Sequence, residues 1–165
     1  MRMFEDFPET HPNLRAMWQV GEAILTVVTH SFGHFCGYVH LPYRPFQEVG
    51  YHGLLTYVPV HGGITFAEQQ PDGSMVYGFD CMHAGDDEPG SPWHDIDRVK
   101  AEAERLLTAL YAAVCYEIDY LEAKEGTGRV AIVDAYINDL ATTAGIQFDL
   151  RDNMGAMISV LCGSY

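Results

Sequence analysis

With 165 residues, 48% of them hydrophobic and 12% aromatic, the chain has enough apolar content to build one core, and residues 1–165 read as a single domain. A formal net charge of −14 makes the surface repel phosphate backbones, so ordinary nucleic-acid binding is excluded as an expectation. The apolar run Ala23 to Val28 is too short to cross a bilayer, and Glu5, Asp6, Glu9 and Glu22 around it suit neither a signal peptide nor an anchor, so a cytoplasmic protein with no membrane partner is expected.

The four cysteines, Cys36, Cys81, Cys115 and Cys162, stand at wide spacings with no CxxC among them, the pattern of reduced thiols rather than of a disulfide framework or a metal finger. Charge is unevenly placed. No Lys or Arg lies between Arg44 and Arg98, whereas seven of the eight histidines fall between His30 and His94. A positive group in that stretch has to be a histidine, a backbone N–H or a bound cation.

In chain order, the segment from Asn13 to Val20 is ambiguous, with Met17 and Trp18 marking a piece that packs on the core. Ile24 to Thr29 and Phe35 to Leu41 are rich in β-branched and aromatic residues and are separated by Ser31-Phe32-Gly33, which predicts a hairpin. Pro42-Tyr43-Arg44-Pro45 starts a loop. Leu54 to Val60, Ile64 to Ala67 and Met75 to Cys81 read as further strands, the last two joined by the turn Gln70-Pro71-Asp72-Gly73. Ala84 to Trp93 is a Gly-, Asp- and Pro-rich exposed loop.

Asp95 then caps a long helix from about Asp97 to Lys124, with Val99, Ala103, Leu106, Leu110, Val114, Ile118 and Leu121 at helical spacing. Gly126-Thr127-Gly128 ends it. A second, shorter helix follows from Arg129, with Val130, Val133, Ile137, Leu140 and Ala144 on one face and Gly145 as its stop. Ile146, Phe148 and Leu150 alternate with polar residues, Asp152-Asn153 makes a turn, and Met157 to Leu161 returns as a strand. The expected class is α+β, an antiparallel meander packed against one long and one shorter helix.

Two motifs concentrate the chemistry: His61-Gly62-Gly63-Ile64-Thr65-Phe66 and Gly78-Phe79-Asp80-Cys81-Met82-His83-Ala84-Gly85-Asp86. On neighbouring strands they share a site. Glycines beside a histidine permit positive φ and close approach of a ligand or backbone; a bulge or tight corner is the structural alternative. On a strand Cys81 and His83 face one way and Asp80 and Met82 the other.

Three chemistries stay open on these residues. His61, Cys81 and His83 with Asp86 or Asp87 make a mixed N, S and O donor set of the kind zinc favours, although the spacing demands no cofactor. Cys81 with a histidine base and Asp80 or Asp86 as orienter has the residue types of a hydrolase nucleophile, while a strand cysteine is also an ordinary small hydrophobe. A pocket walled by Tyr38, Tyr43, Tyr51, Tyr57, Phe66, Tyr77, Phe79 or Trp93 would stack on a planar ligand, though most such rings pack in cores. The ligand-binding set expected is His61, Gly62, Gly63, Asp80, His83 and Asp86, with Tyr38 and Arg44 beside them.

The runs Cys36-Gly37-Tyr38-Val39, His61 to Phe66 and Gly78 to Asp86, followed by a helix, resemble a family of small uncharacterised proteins encoded by phages and prophages. The likeness covers about Cys36 to Leu110. It implies a source, the cytoplasm of an infected bacterium, and no mechanism. A small acidic phage protein without replication, packaging or virion motifs is expected to be an accessory that antagonises host defence, by sequestering a small nucleotide-like ligand at the His61/Asp80/His83 region. The alternatives are a metal- or Cys/His-dependent hydrolase at the same residues and an acidic protein–protein inhibitor of a host defence protein. A phosphorylated ligand would draw positive charge from Arg15, Arg44, Arg98 or Arg129 of a second copy in a homo-oligomer.

Overall fold

The computed structural model of the chain describes residues 12–47 and 53–147. Strand β1 (Leu14–Val20) turns through Gly21-Glu22 into β2 (Ala23–Thr29), which turns through His30 to His34 into β3 (Phe35–Leu41). The ambiguous segment before Val20 is thus an edge strand, paired antiparallel with β2 from Leu14↔Val28 to Val20↔Ala23. Strand β4 (Phe66–Gln69) and strand β5 (Met75–Asp80) form the predicted second hairpin, with β4 displaced two residues from the expected Ile64 to Ala67, and Gly73 N–H closes it by donating to the Gln70 carbonyl at 2.9 Å.

All neighbouring strands are antiparallel, and the order is β1-β2-β3-β5-β4. The meander holds for the first three strands; then β5 inserts beside β3 and leaves β4 at the edge. Strand β5 is the more apolar of its hairpin, buried from Met75 to Phe79, and takes the inner place that burial rewards.

The expected strand Leu54 to Val60 is instead a 3₁₀ turn, Gly53–Tyr57, leading into irregular chain. Its apolar residues Leu54, Leu55, Tyr57, Val58 and Val60 are all buried, so the segment plugs the core without joining the sheet. A continuous apolar run carries no period that separates strand from turn. Pro59, with no N–H to give a ladder, also disfavours an inner strand.

Helix α1 (Ile96–Val114) lies across β2 and β3. The Asp95 side chain accepts from the Asp97 N–H at 3.0 Å and caps it, as its sequence predicts. Val99, Ala103, Leu106 and Leu110 are fully buried against Leu25, Val27, Val39 and Tyr77 in one core cluster. The predicted single helix to Lys124 is broken at Cys115-Tyr116, beyond which α2 (Glu117–Glu122) turns a different face inward. Val114 and Ile118 are consequently 40% and 58% exposed, and Glu117 and Tyr120 are buried in their place. Glu117 there accepts the Gln47 N–H at 2.8 Å, and Tyr120 packs near Tyr57.

Helix α3 (Thr127–Thr143) is the second predicted helix, begun two residues before the expected Arg129, with Ala144 beyond its end and exposed. Val133 and Leu140 are buried as expected; so is Tyr136, whose hydroxyl donates to the Ala109 carbonyl of α1 at 2.8 Å. Gly145, at φ +66°, ends the helix and lets the Ile146 N–H return to the Leu140 carbonyl. The expected alternation from Phe148 onward, the turn at Asp152-Asn153 and the strand Met157 to Leu161 lie outside the described residues, as do Tyr51 and Cys162.

Two of the sequence motifs find a packing reason. Register sets Gly37 opposite Phe79 and Tyr38 opposite Gly78. A Cβ on Gly37 would stand 2.5 Å from the Phe79 ring, and one on Gly78 would stand 2.5 Å from the Tyr38 ring. Each glycine is therefore roofed by the aromatic of the other strand, one pair on each face of the sheet.

Candidate functional site: a His-Asp-His cluster on the wall of a cleft

The β4–β5 hairpin brings the two motifs together, because the chain entering β4 and the chain leaving β5 are neighbours: Phe66 pairs with Gly78, and the Thr65 N–H donates to the Gly78 carbonyl at 2.9 Å. His61 lies not on a strand but in a turn just before the hairpin, where Gly62 and Gly63 adopt φ of +73° and +78°. Strand β5 ends at Asp80, so the expected alternation stops short of His83. Cys81 still turns inward, 4% exposed, and the chain then bends through His83-Ala84-Gly85-Asp86, with the Asp86 N–H donating to the His83 carbonyl at 2.9 Å.

The two imidazoles meet edge to face, ring centres 5.0 Å apart. Both converge on one carboxylate oxygen. His61 Nε2 is 2.8 Å from Asp86 Oδ2, His83 Nδ1 is 3.2 Å from it, and the His83 backbone N–H donates to it at 2.8 Å. Asp80 stands further off, its Oδ1 3.7 Å from His83 Nδ1 and accepting the Met82 N–H. Burial by itself would raise the Asp86 carboxyl, but the hydrogen bonds from His61 and His83 outweigh it and hold Asp86 below the usual carboxylate range.

Each ring is held from behind. The His61 ring stacks on Trp93 at 3.8 Å between centres, and its backbone N–H donates to Glu102 Oε1 at 2.9 Å. Glu102 is buried on α1 and paired with Arg105 at 3.1 Å. The His83 ring lies directly on Gly62, where a Cβ would come within 2.1 Å of it.

A cleft of about 610 Å³ opens beside the cluster, walled by His83, Asp86, Trp93, His94, His34 and Phe35 among others. A second hollow of about 390 Å³ shares Phe32, His34 and Met82 with it and contains Tyr38, Phe66 and Asp80. His34 thus borders both. Its Nδ1 is buried with no hydrogen-bond partner among the described residues, and burial, then the neighbouring His30, lower its pKa.

Of the residues expected to bind ligand, His61, Gly62, Gly63, His83 and Asp86 are brought together, Asp80 stands at the edge, and Tyr38 belongs to the neighbouring hollow. Arg44 is not brought to the cluster. Its guanidinium donates to the carbonyls of Phe46 and Gln47 in its own loop, and it lines neither hollow. Arg98 is the cation nearer the cleft, 5.1 Å from the Trp93 ring centre. Cys81 is buried, and burial first, then Asp86, Cys36, Asp80 and Glu102, push its thiol well up, which disfavours a thiolate. Sequence reasoning missed Glu102 and Arg105. The signal was an acid on the α1 stripe between Val99 and Ala103.

No family model, curated protein or solved structure matches the chain.

Proposed function

We propose that the protein captures a small planar ligand of nucleotide type in the cleft between Trp93, Phe35 and the His61-Asp86-His83 cluster, as a phage-type accessory that antagonises host defence in the bacterial cytoplasm. The cleft itself supports the reading most directly: about 610 Å³ is the size of a small-molecule site, aromatic rings form part of its wall, and several ring nitrogens and carboxylates converge on it. Phe32 and Phe35 offer rings to a base, and His34, His94 and Asp87 offer hydrogen bonds to its edge. Among the described residues no Lys or Arg lines the cleft, so a phosphate would sit towards Arg98 at the Trp93 side. With Arg98 so placed within the same chain, the charge argument for a second subunit loses its force.

The hydrolase reading loses its cysteine nucleophile to burial and keeps only a metal version. The protein-inhibitor reading is favoured by a different observation: Phe32 and Met82, on the rim of both hollows, are 77% and 58% exposed, an apolar spot on an acidic molecule. No helix among the described residues is long and apolar enough to cross a membrane.

Calorimetric titration with nucleosides and with linear and cyclic nucleotides tests the proposal. Saturable binding that Trp93→Ala weakens and Arg44→Ala leaves unchanged is the expected result. No heat from any of them would overturn ligand capture and leave the protein-inhibitor reading ahead.

A further inference from the structure

We infer that His61, His83 and Asp86 form a binding site for a divalent ion of the zinc class, with a coordination position open to the cleft. One ligand atom from each of the three lies within 4.8 Å of the other two. In a tetrahedral site with metal–ligand bonds of about 2.0–2.1 Å the donor atoms stand roughly 3.3 Å apart, so these groups need move by little more than an ångström to close on a common ion.

The hydrogen-bond count points the same way. Three N–H directions, from His61 Nε2, His83 Nδ1 and the His83 backbone, crowd on a single oxygen, Asp86 Oδ2. A carboxylate oxygen offers about two lone-pair sites. A cation placed between the rings takes a lone pair from one nitrogen of each imidazole instead of asking both to donate, and the backbone N–H keeps its bond to Asp86. Two imidazoles and one carboxylate are a donor set for zinc, cobalt, manganese or iron(II), and too nitrogen-rich for magnesium or calcium.

Preorganisation is the third observation. Trp93 and Glu102 fix His61 from its face and its backbone, and Gly62 fixes His83. Packing and backbone contacts of this kind limit how far the two rings can turn away from Asp86. His83 and Asp86 line the cleft, so solvent or a ligand oxygen completes the coordination from that side. In a cleft without Lys or Arg among its described lining, such an ion is also the natural partner for an anionic group. This corollary rests on the ligand-capture reading; the metal site itself does not.

The experiment uses the full chain, stripped with a chelator and titrated with zinc chloride alone, and with cobalt(II) for its visible absorption. Stoichiometric zinc binding that raises thermal stability, a cobalt spectrum of low coordination number, and proton release on binding are expected. His83→Ala and Asp86→Asn should weaken zinc by more than the roughly 10–100-fold that loss of an outer-shell partner costs, while His94→Ala, in the same cleft, should not. Circular dichroism and melting of each variant without metal separate loss of a ligand from loss of the fold. Weak or absent zinc binding by the wild type, or binding that His83→Ala and Asp86→Asn leave intact in folded protein, would overturn the site. Zinc binding with no nucleotide binding would retire the ligand-capture proposal and keep this one.

Discussion

Replacing Gly62 by alanine tests the local design of the site at one atom. Gly62 holds φ of +73°, a conformation that costs an L-residue about 1–2 kcal/mol. The added methyl would also stand 2.1 Å from the His83 ring, which has to move. Moving it loses the contact between His83 Nδ1 and Asp86, a part-buried bond at 3.2 Å to a charged group, worth about 1 kcal/mol once the one-third exposure of His83 is allowed for. The total is roughly 2–3 kcal/mol, or about 4–12 °C in melting temperature for a domain of this size. Gly21→Ala is the control: its φ is also positive, +59°, but nothing lies within 4 Å of the new methyl, so only the backbone cost of about 1–2 kcal/mol applies. Urea denaturation of both variants, with the imidazole resonances of His61 and His83 followed by NMR, measures the difference. If Gly62→Ala costs no more than Gly21→Ala and leaves the His83 resonances in place, the ring does not rest on Gly62 and the account of the motif fails.

Two further outcomes are expected. Burial lowers the pKa of His40 from 6.5 to about 4, so the folded chain refuses a proton that the unfolded chain accepts between those values; its contribution is fully present above pH 6.5 and is lost as pH falls to 4. Comparing His40→Gln with wild type by urea denaturation across that window should show the wild type losing up to about 3 kcal/mol more, and parallel curves would refute it. Glu102→Ala removes a buried carboxylate that holds the His61 N–H and Arg105; a loss of about 2–4 kcal/mol, with a shift of the His61 resonances, is expected in denaturation and NMR, and Glu102→Gln should recover the bond to His61.

Much of the fold was readable because the sheet strands carry their own signals. Richness in β-branched and aromatic residues, broken by Ser31-Phe32-Gly33, placed β2 and β3 nearly residue for residue, and the Pro71-Asp72-Gly73 turn placed the β4–β5 hairpin. What could not be read was decided by tertiary competition. Nothing local says that β5 rather than β4 lies beside β3, since that depends on which strand has more apolar surface to hide. The stripe Leu110, Val114, Ile118, Leu121 is continuous in sequence, yet the helix breaks where burying Glu117 and Tyr120 satisfies other partners. In the site, His61 and His83 were legible as a pair because a short hairpin separates them. Arg44 stands apart because its guanidinium donates to two carbonyls of its own loop, a partnership that no sequence pattern announces.

The hairpin also has a consequence for how the site comes into being. His61 and Asp86 are 25 positions apart, and most of the intervening chain is spent on two paired strands and their tight turn. Pairing within that hairpin brings the motif ends together at the modest entropic cost of closing a short loop. The helix contributes from further along the chain: Glu102, 41 positions beyond His61, accepts the His61 N–H and holds that turn in place. A segment of twenty-six consecutive residues thus holds the whole donor set, and the rest of the molecule serves to keep it still.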